Sequence, residues 1–151
     1  MNKILILVGT MSGTAEMAAD EIADRLDDMD IEARVLRMER ATVATITAAT
    51  HIIICTSTYG TGDVPDNAKE LFSALQNERP GLSGLSYGVF ALGSSVYPKT
   101  FCFGGKRFDD LLSELGAKRI GEHFQHSDRS GINADDAAGE WVENWAQLVL
   151  A

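Results

Sequence analysis

Three loops carry the residue types that could do chemistry. The first is Gly9-Thr10-Met11-Ser12-Gly13-Thr14-Ala15-Glu16, directly after the apolar run Ile4–Val8. Backbone N–H groups at a helix start, together with the hydroxyls of Thr10, Ser12 and Thr14, suit an anion. One of those hydroxyls would suffice as a helix cap; three exceed that need. The loop has neither the Gly-Lys-Ser/Thr of a triphosphate site nor the G-x-G-x-x-G of a dinucleotide site, so a single terminal phosphate fits it best. The second loop, Thr56–Asn67, sets Tyr59 beside Gly60 and Gly62. The third, Ala91–Lys106, sets Tyr97 after Gly93, Ser94 and Ser95. A lone tyrosine in such a loop reads as a surface turn residue. Two of them at the same end of adjacent strands could sandwich a flat ring system. A phosphate cradle beside that slot describes a phosphorylated, planar ligand.

Strands and helices must hold these loops in place. Ile4–Val8 and Ile52–Cys55 are unbroken apolar runs, which suit strands covered on both faces. Ile31–Met38, Tyr87–Leu92 and Lys118–Phe124 complete five expected strands. Helical spacing marks Ala15, Ala18, Ala19, Ile22, Ala23 and Leu26; Ala68, Leu71, Phe72 and Leu75; Phe108, Leu111, Leu112 and Leu115, closed by Gly116; and Ala138, Trp141, Val142, Trp145, Leu148 and Val149. A short helix is expected over 41–49, and Asp66 or Asn67 is expected to cap the helix that follows. Alternating strands and helices predict an α/β fold, a doubly wound five-stranded parallel sheet, in one domain over 1–151. Ligands of such sheets bind at the carboxyl ends of the strands, where the three loops lie.

Composition narrows the function. The chain has 151 residues, 13 Lys plus Arg against 22 Asp plus Glu, and a formal charge of −9. That balance disfavours nucleic acid and anionic membranes and favours a basic protein partner. The N-terminal apolar run is too short for a membrane span or a signal-peptide core. Cys55 and Cys102 build no disulfide framework or zinc site, and His51, His123 and His126 are too scattered for a metal. The expected setting is cytoplasmic. Asp109-Asp110 and Asp135-Asp136 read as solvated faces or caps, Trp141 and Trp145 as core, and His126, after the fifth strand, as an ordinary surface imidazole or else as a ring that approaches the ligand or a partner.

The three loops together resemble the flavodoxin family, its short-chain members in particular, and among free-standing proteins the MioC-type flavodoxins. Ser57-Thr58-Tyr59-Gly60-x-Gly62-Asp63-x-Pro65-Asp66-Asn67-Ala68, Leu92-Gly93-x-x-x-Tyr97, Phe101 and Leu115–Ile120 are also similar to the FMN domains of diflavin reductases. The resemblance implies strand order 2-1-3-4-5 in three layers and FMN as cofactor. It implies that Thr10, Met11, Ser12, Gly13, Thr14 and Ala15 hold the phosphate, and that Tyr59 and Tyr97 flank the isoalloxazine. Ser57, Thr58, Gly60, Thr61 and Gly62, with Leu92, Gly93 and Ser94, would meet the ring edge and ribityl chain. Phe101 and Cys102 would pack near the flavin, and Asp128 would approach it after the fifth strand. Cys102, Thr61 and Ser94 stand where the diflavin domains usually have Asn, Glu and Asn.

The activity so implied is electron carriage with no catalytic residue or substrate site of its own. Electrons would pass between a separate NAD(P)H-dependent flavodoxin reductase and an acceptor enzyme such as biotin synthase, with the carrier a monomer. Asp63 and Asp66 would serve as docking charges or as solvated caps. The alternative is a flavin-free flavodoxin-like module that only binds proteins. A phosphatase loop is a weaker rival, since Cys102 and Arg107 are one residue too close for Cys-x5-Arg.

Overall fold

In the computed structural model, which describes residues 3–10, 13–58, 63–93 and 101–150, the apolar runs become the inner strands of a parallel sheet. The elements in chain order are β1 (Lys3–Gly9), α1 (Thr14–Asp28), β2 (Glu32–Arg37), a 3₁₀ turn (Met38–Arg40), α2 (Val43–Thr47), β3 (His51–Thr56), α3 (Asp66–Glu78), β4 (Ser86–Gly93), α4 (Phe103–Glu114), β5 (Lys118–Arg119), β6 (Phe124–Ser127) and α5 (Ala134–Leu150). The sheet order is β2-β1-β3-β4-β5, with β6 also paired to β4, and every pairing is parallel.

Each strand residue faces one side of the sheet, so alternate residues feed two cores. Ile4, Ile6, Val8, Ile53, Cys55, Phe90 and Leu92 meet α1 and α5 on one face. Leu7, Ile52, Ile54, Tyr87 and Val89 meet α3 and α4 on the other. The result is the expected three-layer α/β/α arrangement.

Three local features differ from the sequence expectation. The fifth strand is not continuous over Lys118–Phe124. It breaks into β5 and β6 around Gly121, whose φ of +76° turns the chain out of the ladder. Helix α4 starts at Phe103, inside what reads as a Gly-rich loop, because Gly104 and Gly105 sit where the helix presses on β3 and β4. Asp109 is buried instead of solvated: Tyr87 Oη donates to its carboxylate at 2.6 Å and Arg119 pairs with it. Burial pushes the Tyr87 phenol upward, so it stays a donor to that carboxylate.

The same layer holds a testable pH effect. His123 Nε2 is buried with no hydrogen-bond partner among the described residues. Burial pulls the His123 and His126 imidazoles below their ordinary pKa. The unfolded chain therefore takes up protons at about pH 6.5 that the folded chain refuses. Stability should be full above that pH and decline as pH falls from about 7 towards 5. Urea midpoints across this range should show the decline, and His123→Leu should flatten part of it. An equal slope in the variant would locate the effect elsewhere.

Candidate functional site

The carboxyl end of the sheet opens into a cleft of about 420 Å³. Thr14 borders it from α1, Ser57 and Thr58 from the end of β3, Leu92 and Gly93 from β4, and His126 and Asp128 from β6 and the turn after it. Ile132, Asn133 and Ala134 close it at the start of α5.

The first wall is the loop after β1. Gly13 holds φ +93° as the N-cap of α1 and, as a glycine, supplies no side-chain cap. The first-turn N–H groups and helix dipole of α1 therefore favour an anion. The Thr10 side chain is turned inward: its Oγ1 accepts from Gly13 N–H at 2.9 Å, which shapes the loop. Thr10 N–H donates to Asn67 Oδ1 at 2.9 Å. Asn67 Nδ2 donates to Val8 O at 3.1 Å and to Glu39 Oε1 at 3.0 Å. Arg37 then ties Glu39 to Glu16 in the first turn of α1. The Asn67 hydrogen bond, foremost, holds the Glu39 carboxyl below its ordinary pKa.

Asn67 is thus a clamp and not the helix cap that the sequence pattern suggests. Pro65 occupies the N-cap position of α3, without a side-chain cap bond. Asn67→Ala should unpair the Thr10 amide and weaken binding of the phosphorylated, planar ligand expected in this cleft about tenfold, the equivalent of roughly 1.4 kcal/mol. Fluorescence titration of the apoprotein checks this; an unchanged Kd would deny the clamp its role.

The second wall is held from behind. Ser57 N–H and Oγ both donate to Gly9 O, at 2.9 and 3.2 Å. Thr58 Oγ1 donates to Leu92 O at 3.2 Å and accepts from Gly104 N–H at 3.0 Å. One hydroxyl thereby joins the ends of β3 and β4 to the start of α4. Gly93 must be glycine, since a Cβ there would stand 2.7 Å from Cys102 N. Gly93 O accepts from Asp128 N–H at 3.0 Å, which fixes the turn after β6.

The structure brings Thr14, Ser57, Thr58, Leu92, Gly93 and Asp128 to one cleft, with Thr10 and Gly13 shaping its first wall. Ala15 is buried behind that wall, where its carbonyl accepts from Cys55 Sγ at 3.3 Å. Phe101 is half-buried against the α3/α4 core. Cys102 is buried beneath Gly93 and donates to Ala91 O at 3.5 Å. Met11, Ser12, Tyr59, Gly60, Thr61, Gly62, Ser94 and Tyr97 lie outside the described residues. Burial pushes the Cys102 thiol up to about 12, which leaves it no thiolate for phosphatase chemistry. His126, which reads first as a surface imidazole, is buried in the cleft wall. Its place opposite Leu92 in the register carries it there, a pairing that sequence spacing alone does not reveal.

A doubly wound sheet with its cleft at the carboxyl ends, where β1 and β3 diverge into loops, defines the flavodoxin-like class of nucleotide-binding folds. The comparisons with known proteins agree. The flavodoxin family model matches residues 6–144. The chain is 39% identical to flavodoxin YqcA of Pectobacterium carotovorum subsp. carotovorum, covering 100% of this chain and 99% of that one. It is 33% identical to part of the sulfite reductase [NADPH] flavoprotein alpha-component of Bacillus subtilis, covering 93% of this chain and 23% of that one. The solved structure of a cysteine-to-alanine variant of flavodoxin from Pseudomonas aeruginosa superposes with TM-score 0.89 at 30% identity, covering 99% of each chain.

The chain belongs to the flavodoxin family, and its cofactor is FMN. It is an FMN-binding electron-transfer protein. The residues present fit that cofactor: the start of a 15-residue helix faces the cleft behind a glycine N-cap, and Arg37 offsets the one first-turn acid, Glu16. No helix among the described residues is long and apolar enough to cross a membrane.

Proposed function

We propose that this chain is a one-domain, monomeric, diffusible electron shuttle between an NAD(P)H-dependent flavodoxin reductase and an acceptor enzyme of the biotin-synthase kind. FMN supplies one- and two-electron chemistry when bound. The residues of the chain bind and orient it. Thr10 to Ala15 form the phosphate wall. Ser57, Thr58, Leu92 and Gly93 present backbone groups to the ribityl chain and ring edge, and Asp128 stands at the rim. Tyr59 and Tyr97 flank the ring, and Gly60, Thr61, Gly62 and Ser94 complete the two ring-bearing loops. Phe101 and Cys102 pack behind.

The observation that carries this reading is that Thr14, Ser57, Thr58, Leu92 and Gly93, from three separate loops, border one open cleft. Similarity to part of an NADPH-dependent sulfite reductase component supports a reductase as electron source. The formal charge of −9 supports a basic docking face on the partner, with Asp63 and Asp66 as contributing charges.

The test has two stages. Apoprotein is titrated with FMN by fluorescence quenching, and the loaded protein is then reduced anaerobically by NADPH with a flavodoxin reductase. Uptake followed by reduction that slows as salt rises is the expected result. Uptake without reduction by any reductase would leave a flavin-binding module and overturn the shuttle.

A further inference from the structure

His126, like Asn133, is a polar residue lining the cleft that the reading above does not employ. It is 6% exposed, yet its ring lines the cavity, and neither ring nitrogen has a hydrogen-bond partner among the described residues. Its ring is held flat against Phe90, with centroids 6.2 Å apart and planes 19° apart. Phe90 is in turn stacked on Phe124 at 5.1 Å, so the imidazole has a rigid backing. The orphaned buried nitrogen of this region is that of His123, whereas the His126 nitrogens keep access to the cavity, where a ligand can replace water as their partner.

The surroundings specify the sign of the ligand. Two helices bring their N-terminal residues to the same cleft, α1 through Thr14 and α5 through Ala134. Helix starts favour negative charge. Among the described lining residues Asp128 is the one charged side chain. It favours the protonated ring, against the effect of burial. Phe90 and Leu92 contribute no charge from β4. The first-turn acid of α1, Glu16, is tied to Arg37, and those of α5, Asp135 and Asp136, do not line the cavity.

We propose that the His126 ring donates a hydrogen bond to the phosphomonoester held in this cleft and takes up a solvent proton as it does so. Cofactor retention is then coupled to acidity and tightens as pH falls. The inference rests on FMN being the ligand and adds a proton-linked control of its release. A charge-assisted bond between imidazolium and phosphate is stronger than a neutral one, which drives the uptake.

The experiment follows the His126 ring resonances by NMR against pH in apoprotein, with FMN and with riboflavin, which lacks the phosphate. In parallel, FMN and riboflavin affinities are measured from pH 5.5 to 8 for the wild type and His126→Gln, which keeps a donor but does not titrate. With FMN, the ring should hold its proton to higher pH than in the apoprotein; with riboflavin it should not. The wild type should gain about tenfold in FMN affinity over this range beyond any gain in the variant, which retains the phosphate's own titration. A ring titration unmoved by FMN, or equal pH slopes in the two proteins, would overturn the proposal while FMN binding stands. Failure of the wild type to take up FMN at any pH would remove the FMN reading itself. The resonance measurement needs no variant, so a poorly folded His126→Gln leaves the test intact.

Discussion

Gly104→Ala is expected to abolish useful FMN uptake, with affinity falling about a hundredfold, roughly 2.7 kcal/mol. A Cβ on Gly104 would press into the carbonyl of Ser57, standing 3.1 Å from its carbon and 3.2 Å from Thr58 Cα. All these neighbours are backbone, so no side chain can rotate away. Relief requires α4 to retreat from the end of β3. That movement pulls Gly104 N–H off Thr58 Oγ1 and loosens the bond from Thr58 to Leu92 O. Overpacking of this kind also costs about 1–3 kcal/mol of stability. Gly105→Ala provides the contrast. Its Cβ would meet the side chain of Ala91, 2.5 Å away in the core. That variant should be less stable but bind FMN at close to wild-type affinity. Equal affinity of Gly104→Ala and wild type would mean that α4 does not set the cleft wall.

Trp145→Ala is expected to remove about 3–5 kcal/mol of stability, a large share of what a domain of this size possesses. The indole lies on Gly88 of β4, where a Cβ would stand 2.8 Å from Trp145 Cε2. Strand and helix are therefore fitted to each other at this point. Its Nε1 donates to Ile120 O at 3.0 Å, beside the break between β5 and β6. It also stacks on Trp141 with ring centroids 5.9 Å apart. Deleting it empties a space bounded by strand backbone, which cannot collapse inward. Trp145→Phe keeps much of the apolar volume and loses the donor, so its cost should be smaller. Urea unfolding with an unchanged m-value checks both, and a loss below about 1 kcal/mol for the alanine variant would contradict the packing argument.

How much of this was legible in the sequence depends on whether the controlling contact is local. Ile4–Val8 and Ile52–Cys55 announce themselves, because strands covered on both faces must be apolar throughout. Helix α1 and the stripe through Trp141 and Trp145 follow from spacing alone. The strand order came from family resemblance, since periodicity does not rank strands across a sheet. Gly104 and Gly105 read as loop because glycine usually marks flexibility; here the demand is for close approach by β3 and β4. Asn67 reads as a cap because its partners, Thr10 and Glu39, are distant in sequence. Asp109 reads as a solvated face or cap because it belongs to an acidic pair beside a helix, and His126 reads first as a surface imidazole because a lone histidine usually is one. The partners of Asp109, Tyr87 and Arg119, and the wall that encloses His126 become apparent only when the strands are laid side by side. Within the site, the walls that could be read were those made by residues adjoining strand ends.

The interruption at Gly121 has a consequence for solubility. Along that border the sheet presents two short stretches, Lys118–Arg119 and Phe124–Ser127, and no long continuous ribbon of open amides and carbonyls. At the opposite border, Glu32, Arg34 and Arg37 place charges along the outermost strand. A stray strand from another molecule therefore meets a broken template at one border and a charged one at the other, and concentrated solutions should resist fibrous association.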